Sequence, residues 1–308
     1  MHTGSRRAVV TGGAGFIGSH VCDRFLEAGY DVVALDDLST GNRDNVPEAA
    51  RLEEIDIVDG DAVSALFQDF QPNVVAHLAA QSSVTVSVKV PARDLDVNVR
   101  GTFNILQAAT ALGAPTVFAS TGGALYGSRA TIPTPEDTVP EPLAPYGASK
   151  FAGESYVGTW GRLHGISNVI LRLGNVYGPR QTPHGEAGVV AIFSDRLVHG
   201  QAPTVYGDGL QTRDYIHVAD VSKAFFMACE GGQAGIFNVG TGIESNVLQL
   251  LEGLQAAAGT SIEPNYEPLR TGELLRSCLD STRLRETLGW APTVAFADGL
   301  GDTFTTYT

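Results

Sequence analysis

Short apolar runs alternate with stretches of helical hydrophobic spacing through the first half of the chain. Residues 8–10, 31–35, 53–57, 73–78, 116–119 and 168–173 read as buried strands. Between them, Phe16, Ile17, Val21 and Phe25 mark one face of a helix, and further helices are predicted over 61–70 and 92–112. This alternation predicts an α/β fold with a doubly wound parallel sheet. Right-handed crossovers bring the C-terminal strand ends to one edge, where ligands bind. Beyond about residue 175 the pattern loosens, with proline and glycine frequent at 178–188 and 203–209.

The first strand runs straight into Thr-Gly-Gly-Ala-Gly-Phe-Ile-Gly, residues 11–18. Gly13-x-Gly15-x-x-Gly18 fits the dinucleotide fingerprint: a sharp turn, a close approach to pyrophosphate, and tight helix–strand packing. A helix N-terminus there offers free N–H groups to a phosphate. The second strand is followed by Asp36, whose carboxylate suits a ribose 2′-OH and repels a 2′-phosphate, so NAD is expected over NADP. The same turn also occurs in other α/β proteins, with Asp36 then a surface charge. On this pattern, 1–174 is a Rossmann-type NAD-binding domain. Residues 175–308 form a smaller α/β substrate domain, some of whose segments return to the first.

The 308 residues are 43% hydrophobic and carry a net charge of −14. Such a chain buries a large core, and its acidity disfavours a nucleic-acid partner. An anionic substrate would need local arginines. Cys22, Cys229 and Cys278 are odd in number and far apart, with neither metal nor disulfide spacing. The histidines are scattered, so no metal is expected. A polar start and the lack of a long apolar run predict a cytoplasmic protein without membrane contact.

Tyr146 and Lys150 lie four residues apart after Pro142 and Pro145, at the start of a helical pattern. They share a helix face, where a lysine cation would favour the phenolate and make tyrosine a usable acid/base. Ser120, Thr121, Gly122 and Gly123 follow a strand, where the hydroxyls could bond a reacting sugar or the tyrosine; a plain turn has the same composition. Asp56 and Ile57 close the third strand and could bracket an adenine. Leu78, Ala79, Ala80 and Gln81 end the fourth and allow close cofactor approach, and Asn98 could bond a neighbouring loop.

The chain resembles the extended short-chain dehydrogenase/reductases, specifically the nucleotide-sugar epimerases of the UDP-glucose 4-epimerase group. The resemblance covers nearly the whole chain. It rests on residues 11–18, Leu35-Asp-Asp-Leu-Ser-Thr-Gly41, His77-Leu-Ala-Ala-Gln81 and Tyr146-x-x-x-Lys150. It continues through Gly174-Asn-Val-Tyr-Gly-Pro-Arg180, 206–218 and Arg270-Thr-Gly-Glu273.

The resemblance implies an isomerase that inverts C4 of a UDP-sugar through a transient 4-keto sugar, with NAD tightly bound. Tyr146 would move the 4-OH proton and Lys150 would hold the nicotinamide ribose. Gly12, Gly15, Phe16, Ile17, Gly18, Asp36, Asp37, Ser39, Thr40, Gly41, Asp56, Ile57, Leu78–Gln81, Asn98 and Val176 would line the cofactor. Ser83, Thr121, Gly122, Gly123, Asn175, Val189, Thr204, Val205, Tyr206, Arg213, Arg270 and Glu273 would line the substrate. Counting back from Tyr126-Gly127, the usual Ser/Thr position holds Gly122, so Thr121, or else Ser120, is expected to serve.

UDP-glucose/UDP-galactose is the default substrate pair. UDP-glucuronate/UDP-galacturonate competes, with Arg180 or Arg196 as possible carboxylate partners. A 4,6-dehydratase would need an acid pair where glycines stand. An oxidoreductase releasing NADH and an NAD-responsive regulator share the fold. A homodimer is expected through helices at 92–112 and 145–163, as a four-helix interface.

Overall fold

The computed structural model describes residues 6–184, 188–270 and 274–308. Its centre is a seven-stranded sheet, every pairing parallel. The first six strands in chain order are β1 (Arg6–Thr11), β2 (Tyr30–Asp36), β3 (Arg51–Glu54), β4 (Val74–His77), β5 (Thr116–Thr121) and β6 (Val169–Leu173). The short strands β7 (Asn175–Tyr177), β8 (Thr204–Tyr206), β9 (Thr212–Arg213) and β10 (Tyr215–His217) come next and lie outside the sheet. Then β11 (Gly235–Val239) returns to pair with β6, giving the order β11-β6-β5-β4-β1-β2-β3. The pairs β12 (Ser245–Asn246) with β9 and β13 (Asn265–Glu267) with β8 complete the strands described.

The helices follow from where apolar side chains must go. On one face, α1 (Phe16–Glu27) contributes Val21, Cys22 and Phe25 to a core with Ala8 and Val10. On the other, α2 (Gly60–Phe70) sets Val63, Leu66 and Phe67 against Val9, Val33 and Leu35. Neighbours Val9 and Val10 thus face opposite layers, as strand alternation requires. Two short helices follow, α3 (Val84–Lys89) and α4 (Pro91–Leu95), then α5 (Thr102–Ala111) and α6 (Pro145–His164). Next, α7 (Val189–Val198) and α8 (Val218–Gly231) are followed by α9 (Val247–Ala258), α10 (Thr282–Leu288) and α11 (Phe296–Thr305). Phe225 and Ala224 of α8 join the α1 core, and Trp290, wholly buried, donates its indole N–H to the Asp220 carbonyl at 3.0 Å. A separate core of Val190, Phe193, Leu250, Leu254 and Leu300 joins α7, α9 and α11.

Three expectations shift. The predicted strand at 53–57 ends at Glu54, so Asp56 and Ile57 lie in the loop beyond it. The strand at 116–119 extends to Thr121, placing Ser120 and Thr121 inside β5 rather than after it. The single helix expected at 92–112 is α4, a wide π-type turn at Asp96–Gly101, and α5. At that turn Gly101 presses on Ile57, and a Cβ there would stand 2.6 Å from its side chain.

Candidate active site

The strand C-termini gather the candidate residues along one edge. After β1 the chain turns at Gly12 with φ of +69°, a conformation L side chains rarely adopt. A Cβ at Gly18 would fall 2.0 Å from the Gly12 carbonyl oxygen, so helix and loop touch backbone to backbone. Gly15 caps α1 with no side-chain bond, leaving the first-turn amides to an external acceptor. Its missing Cβ would meet only the Gly12 carbonyl, at 3.1 Å. The donor set therefore fits a dinucleotide diphosphate.

Asp36 closes β2 nearly buried. Its Oδ2 accepts from the Ala14 amide at 3.0 Å and Oδ1 from the Leu38 amide at 2.9 Å. Burial pushes its carboxyl above the ordinary value while the two amides pull it down. An oriented carboxylate fits a ribose diol and opposes a 2′-phosphate. Gly41 folds back against it: a Cβ there would lie 2.7 Å from Asp36 Oδ1. Asp37, Ser39 and Thr40 are exposed beside it, and Ser39 donates to the Asp37 carboxylate. Asp56 is exposed, while Ile57 is buried.

A polar chain fixes the end of β4. Thr11 Oγ1 accepts from the Leu78 and Ala79 amides, each at 3.1 Å, and so its own proton goes to His77 Nδ1, 2.6 Å away. His77 Nε2 then donates to Thr102, whose hydroxyl donates to the Asn98 carbonyl at 2.7 Å. Burial drops the His77 pKa to about 3, so the ring is neutral. Ala79 packs on Gly12, with Ala80 and Gln81 half-buried after it. Asn98, inside the wide turn, accepts from the Gln81 amide at 2.8 Å and donates to its carbonyl at 2.9 Å. Ser83 caps α3 and is tied to Gln81.

Tyr146 and Lys150 share one face of α6, which starts at Pro145 in the first helical turn. Lys150 is 2% exposed, with Nζ 4.1 Å above the Phe118 ring. Burial brings its pKa down to about 7. Burial also raises the Tyr146 phenol to about 12, opposed by a hydrogen bond with Thr121. The lysine was expected to favour phenolate, and in the protein alone burial and the Asp94 carboxylate hold the phenol protonated. Ser120 is turned the other way: it donates to buried Glu154 at 2.5 Å. Its hydroxyl is therefore bonded to Glu154, one turn past Lys150 on α6, rather than to Tyr146.

The substrate candidates fall in several places. Gly122 donates to the Leu173 carbonyl and packs against Leu279, and Gly123 faces the Asn175 amide oxygen. Both glycines line a cleft of about 520 Å³ with Tyr126, Thr131, Arg276 and Ser277. Val176 and Val189 are half-buried nearby in the chain, Thr204 and Tyr206 bracket β8, and Val205 points into the core. Arg213 donates to the Thr212 carbonyl at 2.8 Å. Arg270 stacks 4.0 Å over the Tyr206 ring, bringing two expected substrate residues together. Glu273 lies outside the described residues. Arg180 pairs with Asp23 at 2.7 Å, and Arg196 donates to Gln201 on an exposed face, so both guanidiniums expected for a glucuronate are engaged elsewhere.

Several structured residues escaped sequence reasoning. Arg172 donates twice to Glu154, at 2.9 and 2.7 Å, and once to Tyr126 at 2.8 Å, all buried. Asp214, 1% exposed, accepts from Thr241, Gly242 and Leu279 and thereby fixes the segment carrying Arg213. Glu154 was findable, standing one helical turn past Lys150. The others have partners far along the chain.

The profile of the NAD dependent epimerase/dehydratase family matches residues 8–240. A UDP-glucose 4-epimerase of Mycolicibacterium smegmatis is 47% identical over 96% of this chain and 97% of its own. The structure of a UDP-glucose 4-epimerase from Thermotoga maritima with UDP-glucose superposes with a TM-score of 0.95 at 43% identity, covering 98% of both chains. That of the Thermus thermophilus enzyme with NAD gives 0.91 at 43% identity, again over 98% of each. With the dinucleotide loop, Asp36 and the Tyr146–Lys150 pair on one sheet edge, the chain belongs to the NAD dependent epimerase/dehydratase family.

Proposed function

We propose that the protein is a UDP-sugar 4-epimerase that keeps NAD bound through its cycle and inverts C4 of UDP-glucose and UDP-galactose. The observation that carries this reading is the Tyr146–Lys150 pair on one face of α6, on the sheet edge that also holds the dinucleotide loop and Asp36. Bound NAD supplies a hydride acceptor and donor for sugar C4. Tyr146 takes the 4-OH proton as the alcohol becomes a ketone and returns it when the ketone is reduced from the other face. Thr121 orients that exchange by bonding the phenol. Lys150, as an ammonium, favours the phenolate. Arg213 and Arg270 meet the diphosphate with charge-assisted bonds. A neutral hexose is favoured over a glucuronate because Arg180 and Arg196 are occupied by Asp23 and Gln201.

The division at about residue 175 belongs to this reading: the sheet side binds NAD and the α7–α9–α11 core carries the nucleotide-sugar side. A homodimer is part of the proposal. Leu95 of α4 and Phe151, Tyr156 and Leu163 of α6 are exposed on neighbouring helices, an apolar face suited to a second copy. No helix of the described residues is long and apolar enough to cross a membrane. The free thiols of Cys22, Cys229 and Cys278 fit a cytoplasmic setting.

The test is to incubate purified protein with UDP-glucose and, separately, UDP-glucuronate, add NAD, and follow products by proton NMR. UDP-galactose without net NADH is expected. NADH build-up, or loss of the C6 hydroxyl, would replace the epimerase reading with an oxidoreductase or dehydratase. Faster turnover of the glucuronate would overturn the neutral-hexose assignment.

A further inference from the structure

Arg172 stands within β6, a cation among Val169, Ile170, Leu171 and Leu173, all buried as it is. Four hydrogen bonds hold it. Nε and Nη2 donate to the Glu154 carboxylate at 2.9 and 2.7 Å. Nη1 donates to the Tyr126 hydroxyl at 2.8 Å and to the Glu136 carbonyl at 3.0 Å. Tyr126 gives its own proton to Asn238 Oδ1 of β11 at 2.8 Å, and the Asn238 amide donates to Glu136 Oε1 at 2.8 Å. One guanidinium thus joins α6 to the segment 122–136.

Both sides of that junction reach the site. Glu154 lies on α6 about two turns beyond Tyr146 and one beyond Lys150. Gly122, Gly123, Tyr126 and Thr134 of the segment line the cleft of about 520 Å³. The segment also touches the first turn of α6. A Cβ at Gly147, next to Tyr146, would fall 2.4 Å from the Ala124 carbonyl oxygen. Cleft wall and helix therefore meet backbone to backbone beside the residue that bears the phenol. Stability alone does not call for a buried ion pair here, since apolar side chains of similar volume often serve as well or better. What the planar, bidentate fork adds is a fixed distance and angle between the parts it joins.

We propose that Arg172 is a positioning residue for the reaction: through Tyr126 and Glu154 it sets the gap between the cleft wall and the helix face bearing Tyr146 and Lys150. A hexose lying against that wall presents its C4 hydroxyl to Tyr146 only while the gap holds. A displacement of about 1 Å can cost about 100-fold in rate. The uridine diphosphate, assigned to Arg213 and Arg270, lies outside these bonds.

This deepens the proposed function and rests on it for the kinetic measurements alone. Arg172→Met, Glu154→Leu and Ser120→Ala together replace the polar cluster with apolar groups. That variant should keep the circular dichroism and NAD content of the wild type. Its kcat toward UDP-glucose should fall about 100-fold, with the inhibition constant of UDP unchanged. Tyr126→Phe keeps the Arg172–Glu154 pair and cuts only the tie to the wall. It should lower kcat about 10-fold, again with UDP inhibition unchanged, and it carries the test if the triple variant does not fold. Wild-type kcat in either folded variant would overturn the proposal, as would a UDP inhibition constant that rises in step with the lost turnover. Hydrogen exchange read by mass spectrometry needs no substrate. In Tyr126→Phe the amides of 122–136 should exchange faster and those of α7, in the separate core, at the wild-type rate. Unchanged exchange at 122–136 would overturn the proposal whatever the kinetics. A wild-type protein inert toward every UDP-sugar would sink the proposed function and leave the exchange measurement standing.

Discussion

Ser120 and Thr121 are neighbours on β5 and face opposite sides of it. Thr121 acts on the Tyr146 phenol and pulls its pKa down, while Ser120 donates to the buried Glu154 carboxylate. Their alanine variants should separate accordingly. Thr121→Ala should lower kcat about 100-fold with KM little changed, in steady-state epimerisation assays. Ser120→Ala should retain most activity and lose about 1.5–3 kcal/mol in urea unfolding, the worth of a bond to a charged group. Equal losses of activity in both would refute the division. Counting residues toward Tyr126 left the choice between the two hydroxyls open, because the end of β5 is not visible in composition. Apolar residues mark 116–119, and the strand then continues through two polar residues. Arg172 was harder still. It reads as a charge in an apolar strand, and only the β5–β6 pairing and the course of α6 bring Ser120 and Glu154 to it.

At the scale of elements, six of the seven strands of the central sheet and the loop from β1 to α1 were legible because each obeys a local rule, whereas β11 was not foreseen. Apolar runs make buried strands, and glycines stand where backbones touch. Gly18→Ala tests that contact. Its Cβ would force α1 off the loop, so purified protein should carry little NAD by absorbance and release assays, with the sheet intact by circular dichroism. Undiminished NAD content would show that the contact is not needed. The helix expected at 92–112 was legible as to location only. Its periodicity averages over the wide turn, which has no proline and is set by Gly101 against Ile57. The union of α6 with β6 rests on the buried Arg172–Glu154 pair. Glu154→Gln should cost about 3–5 kcal/mol in chemical unfolding, because it strands a guanidinium in the interior.

For the whole molecule, two predictions follow from burial and shape. His77 stays neutral in the fold down to about pH 3, whereas the unfolded chain protonates it near 6.5. Between those values the unfolded state binds the extra proton. Stability therefore falls as pH drops through that window, by up to about 1.4 kcal/mol per unit. The stability gap between wild type and His77→Asn should narrow over the same range in pH-resolved unfolding; a constant gap would contradict a neutral His77. The apolar face of α4 and α6 predicts association. Tyr156→Lys with Leu163→Lys should give monomers in sedimentation analysis, with NAD still bound. An unchanged sedimentation coefficient would place the interface elsewhere.

The pairing of β11 with β6 also has a consequence for how the protein is made. The ribosome delivers β1 to β6 in order, but the strand that covers the β6 edge arrives some sixty residues later, after the whole of β7 to β10. Until Gly235–Val239 emerges, a nascent chain carries a bare, apolar parallel edge, the kind of template that recruits other chains. Trp290, which seals α8 beneath that edge, comes later again. Chains stalled or cleaved before residue 235 should therefore aggregate rather than persist as a free NAD-binding half.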